Sequence, residues 1–137
     1  MTGDFLSAFD KLIGFEGLYS NDPNDRGGET WKGISRNNYP KWEGWLIIDR
    51  IKAITDKTQL SKVLSTNKEL SDCVRNFYYQ VFWMALNLDK IHIYEIAEEI
   101  FDTAVNQGLK TAVRYFQQAL NLLNNNQKIY SNISEVS

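Results

Sequence analysis

Between Glu16 and Ser35 the chain sets a glutamate, an aspartate and a threonine (Glu16, Asp25 and Thr30) among Asn, Pro and Gly residues, with Tyr19 and Trp31 close by. Hydrolysis of a glycosidic bond needs a protonated acid beside the leaving oxygen. It usually also needs a second carboxylate that activates water or steadies an oxocarbenium-like state. A glutamate at a helix end, followed by a turn-rich segment carrying Asp25 and Thr30, can present such groups across a cleft. Gly27, Gly28 and Gly33 would let the backbone turn sharply and approach a sugar closely. The plainer reading of the same residues is a set of solvated loop charges and turn caps.

The elements that must position these groups read as helices. Phe5, Phe9, Leu12 and Ile13 recur at helical spacing and predict a first helix of about three turns, finishing near Glu16. From Tyr19 to Ile34 the density of Asn, Asp, Pro and Gly predicts irregular turns and a short hairpin, with Thr30, Trp31 and Ile34 as its extended pieces. Trp45, Ile48, Ile51 and Ile54 mark a second helix, and Leu60, Val63 and Leu64 a brief third. Thr66-Asn67-Lys68-Glu69 matches a capping box ahead of the strongest stripe, Leu70 to Phe82. A further stripe from Ile96 to Val105 stops at Gly108, a natural helix end. A last helix spans Ala112 to Leu123, before a polar tail that begins at Asn124. The fold class is therefore mainly α, with a small irregular β-hairpin after the first helix. Trp45 and Trp83 read as core residues.

At 137 residues the chain suits one domain with a core of its own. A formal charge of −2, from 15 basic and 17 acidic residues, leaves no diffuse positive field to gather phosphates, which argues against nucleic acid as a partner. Glycan affinity would instead come from stacking and hydrogen bonds. One cysteine, Cys73, rules out an internal disulfide. With one histidine, His92, besides, no metal cluster of thiolates and imidazoles is expected, and no cofactor. The N-terminal residues lack the basic and apolar runs of a secretory signal, and nothing reads as a membrane span. The expectation is synthesis in the cytoplasm and no stable membrane association.

The stretch from Glu16 resembles the glycoside hydrolase family 108 lysozymes, the N-acetylmuramidases of bacteria and their phages. Their hallmark is a Glu-Gly-Gly-Tyr-like start followed by Asp-Pro-Gly-Gly-x-Thr-x-x-Gly-Ile. Glu16-Gly17 and Tyr19 match the start, and Asp25, Gly27, Gly28, Thr30, Gly33 and Ile34 match the second segment. Leu18 stands in place of a glycine and Arg26 in place of a proline. Farther on, Phe101-Asp102-Thr103-Ala104-Val105-Asn106-Gln107-Gly108 resembles the family's Phe-Asp-x-x-Val-Asn-x-Gly helix end. Phe116-Gln117-Gln118-Ala119-Leu120-Asn121 resembles its Leu-Gln-x-Ala-Leu-Asn element. The matches span about residues 5 to 121 in fixed order.

The resemblance implies a lysozyme-like helical domain that cuts β-1,4 bonds between N-acetylmuramic acid and N-acetylglucosamine in the peptidoglycan glycan strand. Glu16 would be the catalytic acid, Asp25 would position water or steady charge, and Thr30 would help hold the water. By residue type alone, Tyr19 and Trp31 could stack on sugars, and Asp102 and Asn106, four apart on one helical face, would hydrogen-bond the catalytic hairpin on the substrate side or form a structural polar pair inside the helical body. Residues 1–90 read as the muramidase-like catalytic region. Residues 91–137 read as C-terminal helices resembling the start of a peptidoglycan-binding region, packed within one compact domain. A monomer is expected, acting on the bacterial wall after release or export in the manner of a phage or prophage endolysin. The readings left beside it are a non-catalytic peptidoglycan-binding or scaffolding module and a lytic transglycosylase.

Overall fold

A computed structural model describes residues 1–14 and 17–127. It is mainly α, with helices α1 (Gly3–Ile13), α2 (Gly44–Lys52), α3 (Leu60–Thr66), α4 (Lys68–Tyr78), α5 (Tyr94–Gln107) and α6 (Leu109–Gln127). A three-stranded antiparallel sheet follows the first helix, formed by β1 (Ser20–Asn21), β2 (Glu29–Trp31) and β3 (Ile34–Ser35) in the order β1-β2-β3. The expected hairpin is thus present, with one strand more. Glu16, which the sequence puts near the end of the first helix, lies outside the described residues.

The chain clusters into two units, residues 9–78 and residues 1–8 with 79–137. In the first, Trp31, Ile34, Trp45, Ile48, Leu64, Leu70 and Tyr78 are buried between the sheet and α2 to α4. The indole of Trp45 donates to the Tyr39 carbonyl at 2.9 Å, and its ring meets Trp42 edge-on. Trp42 lies so close over position 44 that a Cβ there would sit 2.3 Å from its ring, so only glycine fits at the start of α2.

α4 starts differently from the expected capping box. Thr66 closes α3, and its hydroxyl donates back to the Val63 carbonyl. Asn67, in an extended conformation, accepts the Leu70 N–H at 2.8 Å and caps α4. The cap therefore falls one residue later, where the chain leaves helical geometry and an Asx side chain reaches an unpaired amide.

In the second unit Phe5 packs edge-on against Trp83 and Phe101. Asp89 accepts both the Trp83 indole N–H at 2.7 Å and the Thr2 hydroxyl at 2.8 Å. Residues 79–84 form a π-helical turn and 88–90 a 3₁₀ turn. α5 ends at Gly108, whose φ of +98° suits a residue without Cβ. α6 carries the Asn124-Asn125-Asn126 run to Gln127 as helix, farther than the apolar stripe predicts. All four tryptophans of the chain are buried.

Candidate active site

The 9–78 unit holds most of the residues singled out in the sequence. β2 and β3 are joined by Lys32 and Gly33 alone, with Trp31 paired to Ile34 and Thr30 to Ser35. Lys32 has φ +48° and Gly33 φ +82°, as a two-residue turn matching the strand twist requires. Asn and Gly are favoured at such positions. A lysine held there carries strain of about 1 kcal/mol. The Tyr78 hydroxyl, from the end of α4, donates to the Lys32 carbonyl and holds the turn from below.

Alternation along β2 sends Glu29 and Trp31 inward, both buried, and Thr30 to the opposite face, half-exposed. The connection from β1 folds back towards Thr30. Asp25 accepts the Gly27 N–H on Oδ1 at 3.1 Å, and its carbonyl accepts the Gly28 N–H at 3.0 Å. The Asp25 carboxylate is exposed and spends one oxygen on its own turn. Gly28 has φ +64°, and a Cβ there would meet the Asn37 side-chain nitrogen at 2.8 Å. This position therefore needs glycine on both conformational and steric grounds.

Behind the sheet sits a charged cluster. Glu29 accepts from Lys52 Nζ at 2.6 Å, from Arg36 Nη1 at 2.8 Å and from the Tyr19 hydroxyl. Arg36 also grips Asp49 with two bonds of 2.7 and 2.8 Å. Burial pushes the Glu29 carboxyl upward. The hydrogen bonds from Lys52, Tyr19 and Arg36, with the Lys52 charge, outweigh it and hold the carboxyl below its usual value. Tyr19 moves the other way, raised first by burial and then by its bond to Glu29. Its amide also donates to Ser61 Oγ at 3.3 Å, so the segment that follows position 16 is tied to both β2 and α3.

The structure thus gathers Tyr19, Asp25, Thr30 and Trp31 in one unit. Trp31 is 2% exposed, so it has no open ring face on which a sugar can stack. Asp102 and Asn106 are exposed on α5, in the other unit, where the Asn106 amide donates to the Asp102 carbonyl at 2.9 Å and to its carboxylate at 3.2 Å. Glu29, Arg36, Lys52 and Asp49 escape the sequence reading. A signal exists for the first two alone: counting outward from the Lys32-Gly33 turn, the next rung beyond Thr30 and Ser35 sets Glu29 opposite Arg36, a cross-strand pair of opposite charge.

A groove of about 270 Å³ opens in the same unit, with Phe9, Ile13, Trp31 and Val74 as its apolar lining and Asp10, Lys32 and Arg75 on its walls. Among the described residues no His, Cys, Asp or Glu side chains are grouped to hold a metal ion, and no helix is long and apolar enough to cross a membrane. Cys73 is half-buried, its thiol pushed up by burial.

Compared with known protein families, residues 9–108 match the family described as Glycosyl hydrolase 108. No curated protein matches the chain.

Proposed function

Because the chain belongs to the glycosyl hydrolase 108 family, we propose that it is a peptidoglycan hydrolase cutting β-1,4 bonds between N-acetylmuramic acid and N-acetylglucosamine. The coarser statement, that it is a glycosyl hydrolase acting on a glycan, follows from the family alone. What supports the finer reading is that the matched span contains Glu16 and Asp25, the two carboxyl groups glycoside hydrolysis calls for, with Thr30 following them in the sequence.

Glu16 donates a proton to the departing bridge oxygen. Asp25 steadies the positive charge that develops at the anomeric carbon or orients the incoming water, through the oxygen its turn leaves unbonded. Thr30, on the exposed-facing side of β2, helps hold that water. Tyr19 contacts sugar; Asp102 and Asn106, sequence candidates for substrate binding, pair with each other on α5. Trp31, being buried, supports this surface from beneath. The protein works as a monomer on the bacterial wall, reaching it after release or export from the cytoplasm, without a membrane or nucleic-acid partner.

Reducing-end release from purified peptidoglycan, with mass spectrometry of the fragments, tests the reading. The expected products end in hydrated muramic acid. Anhydro-muramic ends would reassign the enzyme to lytic transglycosylase chemistry, and no release at all would leave a binding module. Glu16→Gln should lower the rate by about 10²–10⁴-fold while keeping the circular dichroism of the folded protein. Undiminished release would remove Glu16 from the mechanism.

A further inference from the structure

Strand alternation separates the groove from the chemistry assigned to Thr30: Trp31 lines the groove, and Thr30 points to the other face of the same strand. The groove is a small space, below the usual range for ligand sites. It has room for one or two residues of a peptide and not for a run of sugar rings. Its lining carries three charged side chains, Asp10, Lys32 and Arg75. Among the described residues, Lys32 and Asp10 make no ion pair. Lys32 Nζ instead hangs 5.3 Å over the Trp31 ring. Arg75 gives one nitrogen to Asp72 at 3.1 Å, the one side-chain ion pair it makes among the described residues.

Lys32 is also the residue least suited to its backbone. A left-handed turn position that favours Asn holds a lysine. Strain of this kind marks positions kept for their side chain rather than for the turn. The groove thus has an ammonium held over the Trp31 ring, and a guanidinium and a carboxylate among its other lining groups.

We propose that this groove binds the peptide that branches from the glycan strand, its free carboxylate held by Lys32 and Arg75 and its amine facing Asp10. The proposal rests on the muramidase reading for the identity of the peptide. A glycan backbone alone offers no amine to Asp10, whereas a wall peptide carries both charges. Engaging the branch would bias the enzyme towards strands that still bear peptides.

The test titrates the full chain, followed by NMR, with the N-acetylated synthetic pentapeptide acetyl-Ala-γ-D-Glu-Lys-D-Ala-D-Ala and with the same peptide amidated at its carboxylates. The free acid should shift the Trp31 indole and Val74 methyl signals saturably, and amidation should weaken binding about ten-fold, the worth of one lost charge-assisted bond. Lys32→Asn should weaken binding by a similar factor while melting no lower than wild type, because Asn suits the turn. It should also narrow the ratio of cutting rates on peptide-bearing and peptide-stripped strands. Absence of saturable shifts, equal affinity for acid and amide, or wild-type affinity in Lys32→Asn would each overturn the proposal. Wild type that binds the peptide but releases no reducing ends would uphold the groove and overturn the muramidase reading instead.

Discussion

Glu29 shows what a single side chain contributes here. It is 9% exposed and meets two cations and a phenol. Removing it strands Lys52 and part of Arg36 against a face built for a carboxylate. Breaking a buried pair costs about 3–5 kcal/mol, and the half-exposed cations bring this towards the lower end. Glu29→Ala should therefore destabilise the fold by about 3 kcal/mol in urea titration. The pH dependence has a definite sign. A carboxyl held below its usual value adds stability that is present above the ordinary glutamate range, about pH 4.3, and is lost as pH falls through the folded-state value. The wild-type melting temperature should fall on acidification below about pH 4.3, and Glu29→Gln should flatten part of that fall. Identical acid profiles for the two proteins would remove Glu29 from the account. Periodicity finds buried apolar residues and passes over a buried carboxylate whose partners come from three places in the chain, so of this cluster only the Glu29–Arg36 rung was legible, and only by counting from the turn.

At the scale of elements the sequence was most readable where one stripe faces one core. α4 and α5 follow their apolar residues closely, and Gly108 ends α5 as its conformational freedom predicts. Boundaries set by hydrogen bonds rather than burial were less legible. Thr66 and Asn67 both belong to residue types that cap helices, and only the geometry of the preceding helix decides between them. Asn67→Ala should cost about 1 kcal/mol and lower the melting temperature by a few degrees, whereas Thr66→Ala should cost clearly less. The reverse order in differential scanning calorimetry would restore the capping box. The hairpin was foreseen from its turn residues, but its third strand was not, because two-residue β1 carries no alternation to detect. In the candidate site, the turn at Asp25 and the extended conformation at Thr30 were readable from turn chemistry. Burial of Trp31 was not, since a tryptophan in a strand reads equally as platform or core.

For the molecule as a whole, the balance of 15 basic against 17 acidic residues bears on how it holds a polymer. Without a large positive field, capture of a glycan should depend weakly on ionic strength. Cutting rates between about 50 and 200 mM salt should change by less than about three-fold, against the thousand-fold losses of proteins that neutralise many phosphates. A steep decline would mean that charge, not stacking and hydrogen bonding, governs capture. The family match over residues 9–108 takes in the whole of the 9–78 unit and residues 79–108 of the other.

The burial of every tryptophan has a spectroscopic consequence. Trp31, Trp42, Trp45 and Trp83 are each 8% exposed or less, so indole emission reports the integrity of the interior rather than events at its surface. Unfolding should shift that emission strongly to the red. Addition of short chitooligosaccharides should leave it nearly untouched, the optical signature of a glycan enzyme that keeps its indoles out of reach of the sugar.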